Sequence, residues 1–289
     1  MPNVSVCIPT YNREHLLKET LDSVFAQTYK DFEVVIVDDG STDGTKEMLR
    51  QRGYKVRYFW QKNQGESASR NKLIELAQGK YITFIDSDDL LFPRAVEELV
   101  KTIEKYGPDI IAYSDYVGID EKGARVRRKR RKLPSGDIVA NLFDYIYVHS
   151  CGTMCTKELF QEVGGFDVSL PVCSPYDVWL KLSLKHRFIA VEKSTFKRRR
   201  HSGNLSVRTF ANCNTEYKVL ENFYYNDGGR EVIPYKRAMR RLSKEQYRAA
   251  KSAIRESMQQ TACDLLKKHF KVKALFWLLI AYCQRAKNS

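Results

Sequence analysis

The feature that most narrows the choice of fold is the rhythm of the first 113 residues, where short apolar, β-branched runs alternate with longer amphipathic stretches. Val4 to Ile8 reads as a buried strand, Arg13 to Gln27 as a helix that Asn12 can cap, and Glu33 to Val37 as the next strand. Helices over Thr45 to Arg52, Ser67 to Ala77 and Pro93 to Tyr106 alternate with strands over Val56 to Trp60, Tyr81 to Ile85 and Ile110 to Tyr113. Pro93 suits a first helical turn. The strands are apolar almost throughout, as in a parallel sheet covered on both faces. This is βαβ arithmetic, and it predicts an α/β fold with a mostly parallel, Rossmann-like sheet flanked by helices.

The rhythm breaks after residue 115. Gly118 to Gly136 reads as a turn or hairpin with an exposed basic insertion at residues 123–132, and seven basic residues fall between Arg125 and Lys132. Helical patterns follow over Asp137 to Tyr147, Lys157 to Val163 and Tyr176 to His186, with extended segments at Arg187 to Val191 and Thr195 to Arg200. Beyond Asn212 nearly everything is helix-compatible, which divides the chain into residues 1–212 and a helical extension, 213–289.

Charge sharpens that division. The chain carries 49 Lys and Arg against 35 Asp and Glu, or +14, and residues 230–289 hold 15 basic and 4 acidic side chains, or +11 of it. The body is nearly neutral. Seven cysteines, an odd number with no Cys-x-x-Cys pair and no His/Cys cluster at zinc-finger spacing, indicate neither a disulfide framework nor a structural zinc site and suggest a reducing compartment. No charged leader precedes a long apolar stretch, and the longest apolar run, Ala274 to Cys283, is about half of a membrane span. The expectation is a cytoplasmic protein.

In open α/β sheets ligands sit at the carboxyl ends of the strands. Here those ends are polar: Pro9-Thr10-Tyr11-Asn12, Asp38 to Thr45, and Asp86-Ser87-Asp88-Asp89. Gathered carboxylates are costly without a positive partner, and oxygen ligands favour Mg²⁺ or Mn²⁺, which keep coordination sites for water and substrate phosphates. In an extended segment Asp86 and Asp88 would face one ion while Ser87 faces away. The competing reading of Asp-Ser-Asp-Asp is a helix cap. No P-loop and no Gly-x-Gly-x-x-Gly follows a strand, so a nucleotide would need other contacts, with Asp39 accepting from a base imide or ribose hydroxyl and Arg70 offsetting phosphates.

Val6 to Asn12, Val34 to Thr45, Asn63 to Asn71 and Phe84 to Asp89 together resemble the family 2 glycosyltransferases of the GT-A fold. Val163 to Asp167, Tyr176 to Leu180 and Arg199 to Ser206 match more loosely. The resemblance implies a nucleotide-sugar-binding half in residues 1–115 and an acceptor half in 116–212. It places Pro9, Thr10, Tyr11, Asn12, Asp39, Asn63, Arg70, Asp86 and Ser87 around the donor. Asp88, with Asp86 and His201, would hold Mn²⁺ or Mg²⁺. Asp177 would be the general base, with Tyr176 where the family commonly has Glu and with Asp167 as a competing carboxylate. Without the resemblance, His201 beside Lys197 to Arg200 reads as a solvated basic face, and Asp177 as a helix N-terminal residue favoured by the dipole. Cys151, Cys155 and Cys173 read as packing residues.

The implied reaction is inverting transfer of a sugar from a nucleotide diphosphate donor, a UDP-sugar by default, to a hydroxyl of a cell-surface polysaccharide, oligosaccharide or glycolipid. The alternative is a non-catalytic nucleotide-sugar or nucleic-acid binding module on the same fold. The basic tail from residue 233 onward, with Phe276, Trp277 and Tyr282, suits peripheral contact with the inner face of an anionic membrane. A helical appendage packed on the core or a contact between copies of the chain are its competing uses. Nucleic acid is disfavoured because no helix-turn-helix, zinc-finger or RNP pattern is present.

Overall fold

The computed structural model describes residues 1–126, 132–201 and 209–269, the last four by backbone alone. Most of the basic insertion and the segment from Phe270 onward, including Phe276, Trp277 and Tyr282, therefore lie outside the described residues. Two compact units are formed, one from Met1–Leu170 with Ser174–Gly203 and one from Pro171–Cys173 with Asn204–Ser289.

The first unit begins β1 (Val4–Thr10), α1 (Glu14–Phe25), β2 (Phe32–Asp38), α2 (Thr45–Arg52), β3 (Arg57–Trp60), α3 (Glu66–Leu76), β4 (Tyr81–Phe84), β5 (Leu90–Leu91), α4 (Ala95–Tyr106), β6 (Ile110–Tyr113) and β7 (Tyr116–Ile119). It continues through α5 (Val139–Asp144), β8 (Thr153–Thr156), α6 (Lys157–Glu162), α7 (Ser174–Ser183), β9 (Arg187–Ala190) and β10 (Phe196–Arg199). Seven strands form a sheet in the order β3-β2-β1-β4-β8-β6-β9. All its pairings are parallel except those of β8, which runs against both β4 and β6.

The sheet is mostly parallel for the reason read in the sequence: Val4, Val6, Cys7, Ile8 and Val34 to Val37 are buried on both faces. Helix α4 shows how a covering helix forms, because Val96, Leu99, Val100 and Ile103 recur at spacings of three and four and all are buried. Pro93 lies just before this helix, whose N-cap is Arg94. Nor does Asn12 cap α1. The cap position is Arg13, and the Glu14 N–H donates to Asp43 Oδ2 at 3.1 Å instead. Asn12 takes a left-handed φ of 50° and turns its amide to another loop.

Chain reversal on the two sides of β1 is what makes a crevice. From β1 the chain steps to β2 on one side, whereas β4 pairs on the other and only as far as Cys7↔Phe84. Thr10 is still paired with Asp38. The ends of β1 and β2 thus project past β4, and Pro9, which lacks an N–H, falls beyond the β4 ladder.

A small sheet of β5, β10 and β7 joins the segment after Asp89 to the segment before His201, with Leu90 opposite Lys197. Beyond β7, Asp120 to Ala124 closes the hairpin expected near Gly118, and the Val126 N–H donates to Gly118 O.

The second unit is helical: α8 (Phe210–Tyr225), α9 (Gly229–Val232), α10 (Tyr235–Arg255) and α11 (Gln259–His269). Leu220, Phe223, Tyr224, Leu242, Ala249 and Ala253 are buried in it. Arg241 pairs with Glu216 of α8 at 2.8 Å and with Glu245, and Arg248 also reaches Glu245.

Candidate active site

The first wall of the crevice is built by two loops that bind each other. Asn12 Oδ1 accepts from the Thr42 N–H, the Asn12 N–H donates to Ser41 Oγ, and the Ser41 N–H donates to Asp38 Oδ1, each at 2.8 Å. Asp38 is fixed again by the Tyr58 hydroxyl at 2.7 Å. Asp39 is buried and already occupied: Oδ1 accepts from Gln61 Nε2 and the Gln64 N–H, and Oδ2 from the Gly65 N–H. Its carboxylate holds the loop after β3, leaving Oδ2 the less crowded oxygen. That loop passes so close that a Cβ on Gly40, whose φ is +87°, would lie 2.9 Å from the Asn63 nitrogen. Asn63 is exposed, as is Tyr11 just past β1. Thr10 differs from both, since its hydroxyl is buried at the strand end with no hydrogen-bond partner.

The acidic segment after β4 is a turn and not the extended run that alternation assumed. The Asp89 N–H donates to Asp86 O at 3.0 Å, which folds residue i+3 back over residue i. Asp86 and Asp89, together with Cys151, each place a ligand atom within 4.8 Å of the others. Asp88 points to His201, whose Nε2 lies 2.8 Å from Oδ2. Ser87 is buried in the turn. Asp89, to which the sequence motif assigns no role, is buried, and burial followed by the charges of Asp86 and Asp88 pushes its carboxyl well above the usual range.

Cys151 enters because β8 is antiparallel, which brings the turn before it to the edge where the parallel strands end. The Asp86 N–H donates to Cys151 Sγ at 3.1 Å. Burial, with Asp86 and Asp89 nearby, keeps this thiol protonated, so it acts as a packing and hydrogen-bonding group.

Arginines hold the acidic turn. Arg70, 2% exposed, reaches Asp86 at 2.7 Å and Glu66 at 2.5 Å, with its guanidinium over the rings of Phe84 and Phe166. Arg70, expected beside the donor phosphates, is held in this structure by two neighbouring carboxylates. Of the basic stretch Lys197 to Arg200, Arg200 is exposed but Arg199 is not. Arg199 is 2% exposed and donates from Nε to Asp88 O, from Nη1 to Glu121 O and from Nη2 to Glu19 Oε2, while its backbone N–H donates to Asp89 Oδ1. Arg198 lies over the Tyr116 ring at 5.6 Å. Burial works against its charge, but Tyr116, Asp89 and Asp86 outweigh burial and raise its pKa.

Asn71 adds a side-chain tie between the two halves of this unit. Asn71 donates from Nδ2 to Phe166 O and accepts from the Phe166 N–H, both at 2.8 Å, which imitates a strand pairing. A Cβ on Gly165 would lie 2.6 Å from Asn71 Oδ1, so the second glycine of Val163-Gly-Gly-Phe-Asp167 is needed for that approach. Phe166 packs edge-on to Phe84 with centroids 5.6 Å apart. Asp177, in the first turn of α7, is buried and bonded to Lys181 Nζ at 2.7 Å. Tyr176 donates to Leu142 O at 2.8 Å, which anchors α7 to α5. Asp167 is exposed and accepts from the Ser169 N–H of its own turn.

A profile described as glycosyl transferase family 2 matches residues 5–164. The chain belongs to this family. A curated relative from Rickettsia felis, described as an uncharacterized glycosyltransferase, is 31% identical over 78% of this chain, and the match spans only 38% of that longer protein. Among solved structures, residues 1–349 of S. aureus TarS in complex with UDP-GlcNAc superpose with a TM-score of 0.66 at 17% identity, covering 91% of this chain and 79% of that one. A mannosyltransferase, PcManGT from Pyrobaculum calidifontis, in complex with GDP-Man and Mn²⁺, gives 0.62 at 17% identity over 98% and 80%. At such identities these neighbours establish the GT-A type fold.

The family resemblance implies a divalent cation, and the residues fit one. Asp86, Asp88 and Asp89 share a single turn, His201 adjoins Asp88, and burial followed by the charges of Asp86 and Asp88 raises Asp89, so a hard cation would neutralise carboxylates crowded into one place.

Proposed function

We propose that this family 2 glycosyltransferase moves a sugar from a nucleotide diphosphate donor, a UDP-sugar first, to an acceptor hydroxyl with inversion at the anomeric carbon. The observation that carries the reading is the acidic turn at the end of β4, with His201 on Asp88 and the unsatisfied Thr10 hydroxyl at the neighbouring strand end. Pro9, Thr10, Tyr11, Asn12, Asp39 and Asn63 line the base and ribose, and Asp86 with Ser87 borders the diphosphate. Arg70 orients Asp86. Asp88, Asp86 and His201 would hold Mn²⁺ or Mg²⁺, which supplies electrostatic stabilisation of the departing diphosphate.

Asp177 takes the acceptor proton as the acceptor oxygen bonds to the anomeric carbon, while the carbon–oxygen bond to phosphate breaks and the nucleotide diphosphate leaves with the electron pair. Asp177 is held in a helix first turn by Lys181, a position from which it can receive and release that proton. The acceptor is a polysaccharide, oligosaccharide or glycolipid at the cell surface, and residues 233–289 contact the anionic inner face of the membrane. In this scheme residues 1–212 are the transferase domain and 213–289 its basic extension.

The test is release of nucleoside diphosphate from a panel of UDP-, GDP- and dTDP-sugars with Mn²⁺, Mg²⁺ or chelator. Metal-dependent hydrolysis of one donor class is expected. Donor binding without turnover, with or without added acceptor glycans, would instead favour a non-catalytic binding module.

A further inference from the structure

We propose that the outer face of α10 is an electrostatic strip that lies along anionic lipid headgroups, a deepening that rests on the membrane contact proposed above. The helix has 21 residues, and Lys236, Arg240, Lys244, Lys251 and Arg255 are all exposed on it, with exposed Tyr247 filling the interval between the third and fourth. At about 100° per residue these six side chains fall within an arc of about 100°. Part-exposed Arg237 and Arg248 border the arc. The opposite face carries Ala238, Leu242, Gln246, Ala249, Ala250 and Ala253, all buried. At 1.5 Å per residue the strip runs about 28 Å from Lys236 to Arg255.

Charge on this face is of one sign. The single acidic residue of α10 is Glu245, which is buried with Arg241 and Arg248. A solvated helix face ordinarily mixes both signs at spacings of four, because opposite pairs stabilise the helix. Here Lys236/Arg240 and Lys251/Arg255 are like-charge pairs at that spacing, a mild cost that an anionic surface removes.

A flat surface can meet all five cations, since they share one arc of about 100° along the helix. Nucleic acid would engage the same Lys and Arg through its phosphates and is the competing occupant that the experiment must separate. Tyr235, 69% exposed at the start of the helix, and Tyr247 are the aromatic type enriched at headgroup depth. The sequence continues in the same sense with Lys267, Lys268, Lys271 and Lys273.

The experiment uses the full chain and vesicles of phosphatidylcholine with or without phosphatidylglycerol. Wild type is compared with Lys236→Gln/Arg240→Gln/Lys251→Gln and with a control of equal charge change on the first unit, Lys30→Gln/Lys55→Gln/Lys193→Gln. Circular dichroism verifies that helix content is retained, as Gln sustains a helix. Each basic group near an anionic surface changes partitioning about fivefold, so the strip variant should lose on the order of 100-fold while the control keeps wild-type binding. Raised salt should release the wild type. Equal loss in both variants would reduce the effect to net charge and overturn the strip. Retained binding by the strip variant would also overturn it, leaving the membrane reading to residues 266–289. Absence of wild-type binding, or tighter binding to duplex RNA than to anionic vesicles, would overturn both, and donor hydrolysis measured in parallel keeps the catalytic reading separate.

Discussion

Replacing Arg199 with Met keeps the stem of the side chain and deletes three donated bonds, to Asp88 O at 3.0 Å, Glu121 O at 2.8 Å and Glu19 Oε2 at 2.6 Å. Glu19 is 53% exposed, so water recovers its carboxylate and that pair counts for less than about 1 kcal/mol. The two carbonyls lose bonds to a charged donor, about 1.5–3 kcal/mol each. Against this, a buried guanidinium no longer has to be desolvated. The net expectation is a loss of about 2–4 kcal/mol, read as a lower urea midpoint. Function should suffer beyond stability, because the same side chain holds the turn that carries Asp88 and Asp89. Loss of such a supporting contact typically weakens metal affinity about 10–100-fold. The assay is titration of Mn²⁺ in the presence of UDP, followed by the electron paramagnetic resonance of free Mn²⁺, at a temperature where both proteins are folded. Arg199→Lys should fall between, since an ammonium keeps the charge but cannot reach three acceptors along a planar fork. A folded Arg199→Met protein with wild-type Mn²⁺ affinity would refute the idea that β10 holds the acidic turn in place.

Asp88→Ala should abolish metal-dependent UDP binding with little change in the unfolding midpoint, and unchanged calorimetric affinity would remove Asp88 from the ligand set. Asp177→Asn should retain UDP binding and lower turnover by about 10²–10⁴, whereas a wild-type rate would move the base elsewhere, with Asp167 next to be mutated. Asn71→Ala strands the N–H and C=O of buried Phe166 and should cost about 2–4 kcal/mol, which denaturant titration would show. Glu33 sits against opposing influences: burial raises its pKa, but the Ser5 hydroxyl, Arg57 and the Gln78 N–H lower it on balance. A carboxylate depressed in the folded state contributes stability above its ordinary range and loses it as pH falls through the folded value. Glu33→Gln should therefore destabilise the protein at pH 7 and make stability less dependent on pH below about 4.5, and parallel acid limbs for both proteins would contradict this.

What the sequence could reveal depended on how local the cause was. Parallel strands buried on both faces read as apolar runs, and β6 follows its run residue for residue, Ile110 to Tyr113. Strand β8 left no such mark because Thr153 to Thr156 is short and mixed, and its pairing with β4 joins positions about 73 apart, such as Ile82 and Cys155. That omission also hid Cys151 beside Asp86. The acidic turn misled in another way: Asp-Ser-Asp-Asp carries no information on whether it is extended or folded, and the Asp89 to Asp86 bond decides it. Lys197 to Arg200 reads as solvated by composition, whereas burial of Arg199 is set by acceptors near residues 19, 88 and 121. The motif marks Thr10 and Asp39, but the saturation of Asp39 by the loop after β3 is visible only once that loop is folded against Gly40.

The reach of Arg199 has a consequence for the order of events during synthesis. Its contact with Glu19 spans 180 residues, and its contact with Asp88 spans 111. At about 5–20 residues per second, the ribosome delivers Arg199 roughly 10–35 s after Glu19. Throughout that interval the nascent chain can lay down β1 to β4, yet the acidic turn stands without its most distant cation. Folding of the amino-terminal strands and acquisition of a competent site are therefore separate moments in the life of this chain, and a ribosome-stalled product ending before β10 would hold much of the sheet without the bonds that steady its carboxylates.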